Sequence, residues 1–285
     1  MAAPHPLQRS SPRHRSRPAS PRRPLPHYPR PISTPLADII KDLTALLEPD
    51  RFADYGPNGL QVPGAATVTT VVTGVSAQLE LFERARAENA ELVVVHHGLF
   101  WGSGPGPIDR ALARRLKVLL GGDISLLAYH LPLDAHPAVG NNALLARALQ
   151  ADPITPFAPH RGTPIGFLAQ LPGEGVPIAE LLARVEQVTD RPPLSFLHGP
   201  PLVRRLGIVS GGGASHLDDA VAAGADAFLT GEPSEQVMAQ ARETGVHFIA
   251  AGHYATETFG VRRLGERLAE RFGVRHLFVD IPNPV

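Results

Sequence analysis

From Leu36 onward, short apolar runs take turns with amphipathic segments of helical period. The strand-like runs are 68–75, 91–95, 124–129, 165–171, 202–209, 227–230, 247–251 and 276–280. Helix-period segments fall at 36–47 and, between the runs, at 79–88, 108–120, 142–149, 178–188, 217–223, 234–243 and 258–272. A chain with this rhythm predicts α/β layers with mainly parallel sheets. In such sheets ligands gather beyond the carboxyl ends of the strands.

The first 33 residues stand apart. With the two that follow, they carry seven arginines, ten prolines and no acid. Such a segment buries too little apolar surface to offset its ordering entropy, so 1–33 is expected to be a disordered basic extension. Thr34 and Pro35 supply an N-cap and first turn for the helix that follows. Over the whole chain 27 basic residues balance 27 acidic ones, and the zero net charge lends nothing to binding of DNA or an acidic membrane. No cysteine is present, which excludes disulfides, thiolate metal sites and a cysteine nucleophile. No apolar stretch reaches the length of a membrane span and no secretory signal is visible, so a cytoplasmic protein is expected.

The chain also resembles itself. Residues 72–98 run strand, helix, strand and end in NAELVVVHHG; residues 207–233 do the same and end in GADAFLTGEP, so that His97 aligns with Glu232. Each half then continues through a helix and a third strand into His-x-x-x-acid: His130 and Asp134 in AYHLPLD, His253 and Glu257 in AGHYATE. Two similar lobes, 34–155 and 156–285, facing each other would gather these groups in one cleft.

Without thiolates, imidazole and carboxylate are the side chains suited to Zn, Mn, Fe, Co or Ni. The candidate metal ligands are His96, His97, Asp134, His253 and Glu257. Adjacent strand residues point to opposite faces, so His96 and His97 are expected to share a site only where the strand has ended and Gly98 turns the backbone. The four-residue step from His253 to Glu257 puts both on one face of a helical turn. Five ligands including a bridging carboxylate suit two metals with open positions.

Other readings fit some of these residues equally well. The His96–His97 doublet, taken alone, also reads as polar residues closing a strand, and Asp134 as a turn or helix cap. Glu232 and His130 are candidate proton-handling catalytic residues; Glu232 would equally cap a helix starting at Pro233, and His130 would equally make a buried hydrogen bond or orient Asp134. Ser210-Gly-Gly-Gly reads as a phosphate cradle or as a tight turn. Trp101 and Phe100 read as a nucleobase stack, a shield for the site or a subunit contact.

The blocks VVHHGLFW, AYHLPLDAHPAVGNNALLA, ADAFLTGEPSEQ and AGHYATE, with the early DYGPNGLQVPG loop, closely resemble YbgI-type proteins of the NIF-three-like family, many of which carry the name GTP cyclohydrolase type-two homologue. The resemblance covers about 34–283. It implies two α/β lobes with two divalent metals per subunit in the cleft between them, assembled as a toroidal homohexamer. It further implies that His97 and Asp134 bind one ion, His96 and His253 the other, and Glu257 both. The ligands support hydrolysis of a small-molecule substrate, a nucleotide or related phosphorylated ring compound. Rival expectations are a non-enzymatic metal-handling protein and a nucleic-acid binder.

Overall fold

The structure, a computed structural model, describes residues 32–285 except Ser103 and Pro105; the expected disorder of 1–33 falls almost wholly outside the described residues. In chain order the elements are β1 (Thr34–Pro35), α1 (Leu36–Leu47), β2 (Gly59–Val62), β3 (Thr67–Val68), β4 (Thr70–Ser76), α2 (Leu79–Ala87), β5 (Leu92–His97), α3 (Arg110–Gly121), β6 (Ser125–Ala128), α4 (Leu131–Ala135) and α5 (Asn141–Ala148). There follow β7 (Asp152–His160), β8 (Thr163–Gln170), β9 (Val176–Pro177), α6 (Ile178–Thr189), β10 (Leu194–Phe196), β11 (Leu202–Val203), β12 (Arg205–Val209), α7 (Leu217–Ala222), β13 (Ala227–Thr230), α8 (Val237–Thr244), β14 (His247–Ala250), α9 (His253–Thr256), α10 (Thr258–Phe272) and β15 (Arg275–Phe278).

Two main sheets result. One has the order β15-β4-β5-β6-β2 and the other β10-β14-β13-β12-β8-β7. The centre of each is parallel, β4 with β5 and β6, and β12 with β13 and β14. The valine run of β5 suits this place: Leu92 to Val95 are buried on both faces, as a strand covered by helices on each side requires. The expected α/β class and its mainly parallel sheets are what the chain forms. None of the described helices is long and apolar enough to cross a membrane.

The internal repeat reaches further than the sequence disclosed. Before β4 the chain passes through β1, the twelve-residue α1 and β3; before β12 it passes through β9, the twelve-residue α6 and β11, again a two-strand antiparallel clip around a helix whose C-cap is left-handed (Glu48, Asp190). Thr34 is therefore not an N-cap. It lies in the clip opposite Val68, its hydroxyl donates to the Phe272 carbonyl, and α1 starts without a side-chain cap.

The halves also exchange their ends. Helix α5 follows the first sheet in sequence but packs Leu145 and Leu149 against Leu206 and Ile208 of the second, where β7 and β8 extend the sheet. Helix α10 follows the second sheet but packs Val261, Leu264 and Leu268 against Val71, Val94 and Leu127 of the first, where β15 pairs with β4. Residues 258–278, placed after the 155/156 division, thus complete the first sheet, and α5, placed before it, covers the second. Strand β7 carries Pro153, Pro156 and Pro159 and lies at a sheet edge, where a missing N–H costs no ladder bond. Those prolines hid it in the sequence.

Candidate metal centre

The two crossovers between sheets meet at the carboxyl ends of the parallel strands. Asp134 sits in α4, on the way to α5; His253 and Glu257 sit in α9 and at the cap of α10, on the way back. His96 and His97 arrive from β5. The strand does not end before them, and Gly98 adopts no left-handed turn. A side chain at Gly98 would instead collide with the Gln61 amide, whose atoms lie within 2.7 Å of the Cβ position. The histidines share the site because each leans over a different neighbour: His96 Nδ1 lies 3.0 Å from the Tyr129 carbonyl past β6, and His97 Nδ1 lies 3.2 Å from Ser76 Oγ at the end of β4. With both Nδ1 atoms engaged, the Nε2 atoms face inward.

All five nominated ligands converge. His96 Nε2 is 3.5 Å from both Asp134 Oδ1 and Glu257 Oε1, while His97 Nε2 and His253 Nε2 are each 3.2 Å from Glu257 Oε2. Two donor groups follow, His96–Asp134–Glu257 and His97–His253–Glu257, with Glu257 common to both. The resemblance implied the opposite partners for the two histidines; in the structure, His96 lies with Asp134 and His97 with His253. A third group joins His96 and His97 to His130.

The donor set fits a metal. His96 Nε2 and Glu257 Oε2 are buried with no hydrogen-bond partner, an arrangement that otherwise carries a desolvation cost. The separations also fit, since donors about 2.1 Å from a tetrahedral ion lie about 3.4 Å apart. Gly211 completes the cradle: at φ +61° it leaves space where a Cβ would stand 2.1 Å from Glu257 Oε1.

Residues outside the donor set hold the donors in place, most of them without a part in the expected site and Ser210 with a different part from the expected phosphate cradle. Asn141 Nδ2 and Ser210 Oγ donate to Asp134 Oδ1 at 2.8 and 3.1 Å, and Asn141 Oδ1 accepts from Gly260 N at 2.7 Å, tying one crossover to the other. Asp54 Oδ1 accepts from His130 Nδ1 at 2.7 Å and Asp54 Oδ2 accepts from Leu131 N; Asn58 Oδ1 accepts from His130 N. His130 thereby turns Nε2 toward His96 and His97. The signals were present in DYGPN and in the Asn pair of VGNNAL, but turn chemistry explained them equally well. Glu232 is bonded to His253 Nδ1 and lines a small pocket beside His253, whereas His130 lines the cleft over the cluster. That cleft, of about 500 Å³, also presents Tyr55, Trp101, Ser210 and His216.

Burial alone would push the His96 imidazole down, but the Asp134 and Glu257 carboxylates outweigh it and raise it to about 9. His253, opposed by burial in the same way, is raised to about 9 by Glu257 and Glu232. Burial holds His97 below its ordinary value; burial of Glu257 would raise its carboxyl, but the surrounding imidazoles outweigh that and keep it well below its own ordinary value. Without a metal the cluster therefore holds protons that an ion must displace. Because the folded values of His96 and His253 lie above the ordinary 6.5, their contribution to stability is complete below pH 6.5 and gone once pH has passed about 9. Metal-stripped protein is expected to melt several degrees lower above pH 9 than at pH 6.5, with the gap to zinc-loaded protein widening over that range. Paired thermal melts check this.

The fold and site together define a two-sheet α/β protein with a cluster of imidazole and carboxylate donors, sharing one carboxylate, at the join of its halves. The family model of Duf34/NIF3 (NGG1p interacting factor 3) matches residues 34–284, and the chain belongs to that family. A Pseudomonas aeruginosa protein named GTP cyclohydrolase 1 type 2 homolog is 46% identical over 250 residues, covering 87% of this chain and 98% of that one. An Escherichia coli K12 protein of the same name is 47% identical over 240 residues, covering 81% and 92%. Among solved structures, protein ybgI superposes with a TM-score of 0.83 at 42% identity, covering 88% of this chain and all of that one. TTHA1606 from Thermus thermophilus superposes with 0.79 at 38% identity, again covering 88% and all of the chain compared.

Proposed function

We propose that the chain is a dinuclear metal-dependent hydrolase acting on a nucleotide or a related phosphorylated ring compound. The observation that carries this reading is the pair of donor groups joined through Glu257 and opening onto a cleft of substrate size. When bound, two divalent ions supply a nucleophile at neutral pH and polarise a phosphoryl or ring-carbon electrophile. The name carried by the relatives supports nucleotides as the class to try first.

The protein's own residues do the rest. Tyr129, Ser76 and Glu232 fix the Nδ1 atoms of His96, His97 and His253, so each imidazole presents Nε2. Asn141 and Ser210 aim the Asp134 carboxylate. Asp54 holds the proton on His130 Nδ1, leaving Nε2 to accept a proton at the cleft wall and return it to a leaving group. Glu232 acts through His253 as a positioning residue.

Metal-loaded protein is expected to turn over GTP or another member of a nucleotide panel, with His97→Ala and Glu257→Ala reduced to background. Wild-type rates no higher than those of the variants would overturn the hydrolase reading. Ions bound without turnover of any panel member would leave metal handling as the better account.

A further inference from the structure

We infer that the outer part of the cleft is a subsite for a planar heteroaromatic ring, with Tyr55 and Trp101 as its specificity-determining side chains and the His130 ring between them. Trp101 lies edge-on to His130 at 5.2 Å between ring centroids, and Tyr55 lies edge-on at 5.9 Å. Trp101 also stands 5.9 Å from His97, so a ring seated there reaches the donor cluster. Yet Tyr55 is 51% exposed and Trp101 45% exposed, so core packing does not account for either.

Their backbones are fixed even though their rings are open. Gly102 N donates to the Tyr55 carbonyl at 2.6 Å, and Gln61 bridges the same two loops, accepting from Leu99 N at 2.7 Å and donating to the Pro57 carbonyl at 2.8 Å. Gly56 lies so close that a Cβ there would meet the Phe100 carbonyl at 2.6 Å. Tyr55 OH also reaches His160 Nδ1 across the cleft mouth at 3.3 Å. Two loops locked together to hold bare aromatic faces beside a cleft form a preorganised stacking site, whose ordering entropy is already spent before a ligand arrives.

The lining of the cleft identifies the handle. Among the described residues it contains neither lysine nor arginine, so their side chains offer a phosphate little beyond serine and histidine. The ring, rather than the phosphate, is what the protein grips. The inference rests on the cleft being the substrate site proposed above.

Trp101 is the only tryptophan in the chain, so its fluorescence reports the subsite directly. The probes are guanosine, adenosine, their monophosphates and ribose phosphate, each titrated into protein as purified and after chelation. Saturable quenching is expected with the four ring compounds and not with ribose phosphate, and in chelated protein each nucleoside is expected to bind within a fewfold of its monophosphate. By calorimetry, Tyr55→Ala and Trp101→Ala are expected to weaken binding about tenfold each, the scale of one lost stacking contact, while leaving zinc content unchanged. Equal binding of ribose phosphate, or variants that bind rings like wild type, would overturn the subsite. So would quenching that tracks protein concentration rather than ligand, which would make this rim a contact between copies. Ring binding without turnover would sink the hydrolase reading and leave the subsite standing.

Discussion

Glu257→Ala is expected to bring the metal content of purified protein from the two ions per chain proposed above to one or none, a larger loss than either Asp134→Ala or His253→Ala causes. The reason is the sharing of one carboxylate. Asp134 and His253 each serve a single donor group, whereas Glu257 touches His96 through one oxygen and His97 and His253 through the other. Removing it leaves two incomplete sets and takes away the only negative charge common to both. Elemental analysis of the three variants side by side checks the ranking; equal losses would show that Glu257 is not shared in solution.

Asn142→Ala is expected to be the most destabilising of the conservative changes around the site, although Asn142 is no ligand. Its fully buried amide accepts from Ser210 N at 2.7 Å and donates to the carbonyls of Ile165 at 2.7 Å and Asp134 at 3.3 Å. Alanine leaves these backbone groups buried and unpaired, at about 1–3 kcal/mol each. A total of roughly 3 kcal/mol or more corresponds to a fall in Tm of about 6–12 °C for a chain of this size. Thermal melting of zinc-loaded and stripped variant separates this loss from any loss of metal, because the fall is expected in both.

Much of this architecture is legible in the residues. The valine run into His96 and His97, the repeated strand-helix-strand units and the two His-x-x-x-acid steps carry their own periodicity and place the five donors at strand ends or in the short helices and caps that follow them. What stayed hidden has physical reasons. Strand β7 was concealed because its prolines break the local strand signal, and only its edge position makes them tolerable. The exchange of α5 and α10 was concealed because an amphipathic helix records that it has an apolar face, not which sheet covers it. The partners of His96 and His97 depend on which neighbouring strand each ring leans over, a property of the assembled sheet. Asp54, Asn141 and Asn142 resemble ordinary turn and cap residues until their carboxylate and amide partners are in view.

The exchanged ends determine how the cleft can move. In many two-lobed binding proteins the lobes part about a few connecting residues and close over the ligand. Here each connection between halves runs through a helix embedded in the opposite half, and both connections carry donors of the same cluster. Parting the halves would break the hydrogen bond from Gly260 N to Asn141 Oδ1 that ties α10 to α5, and pull the cluster apart. The mouth is therefore a fixed frame, and whatever enters must fit it as it stands, with side chains rather than lobes making the adjustment.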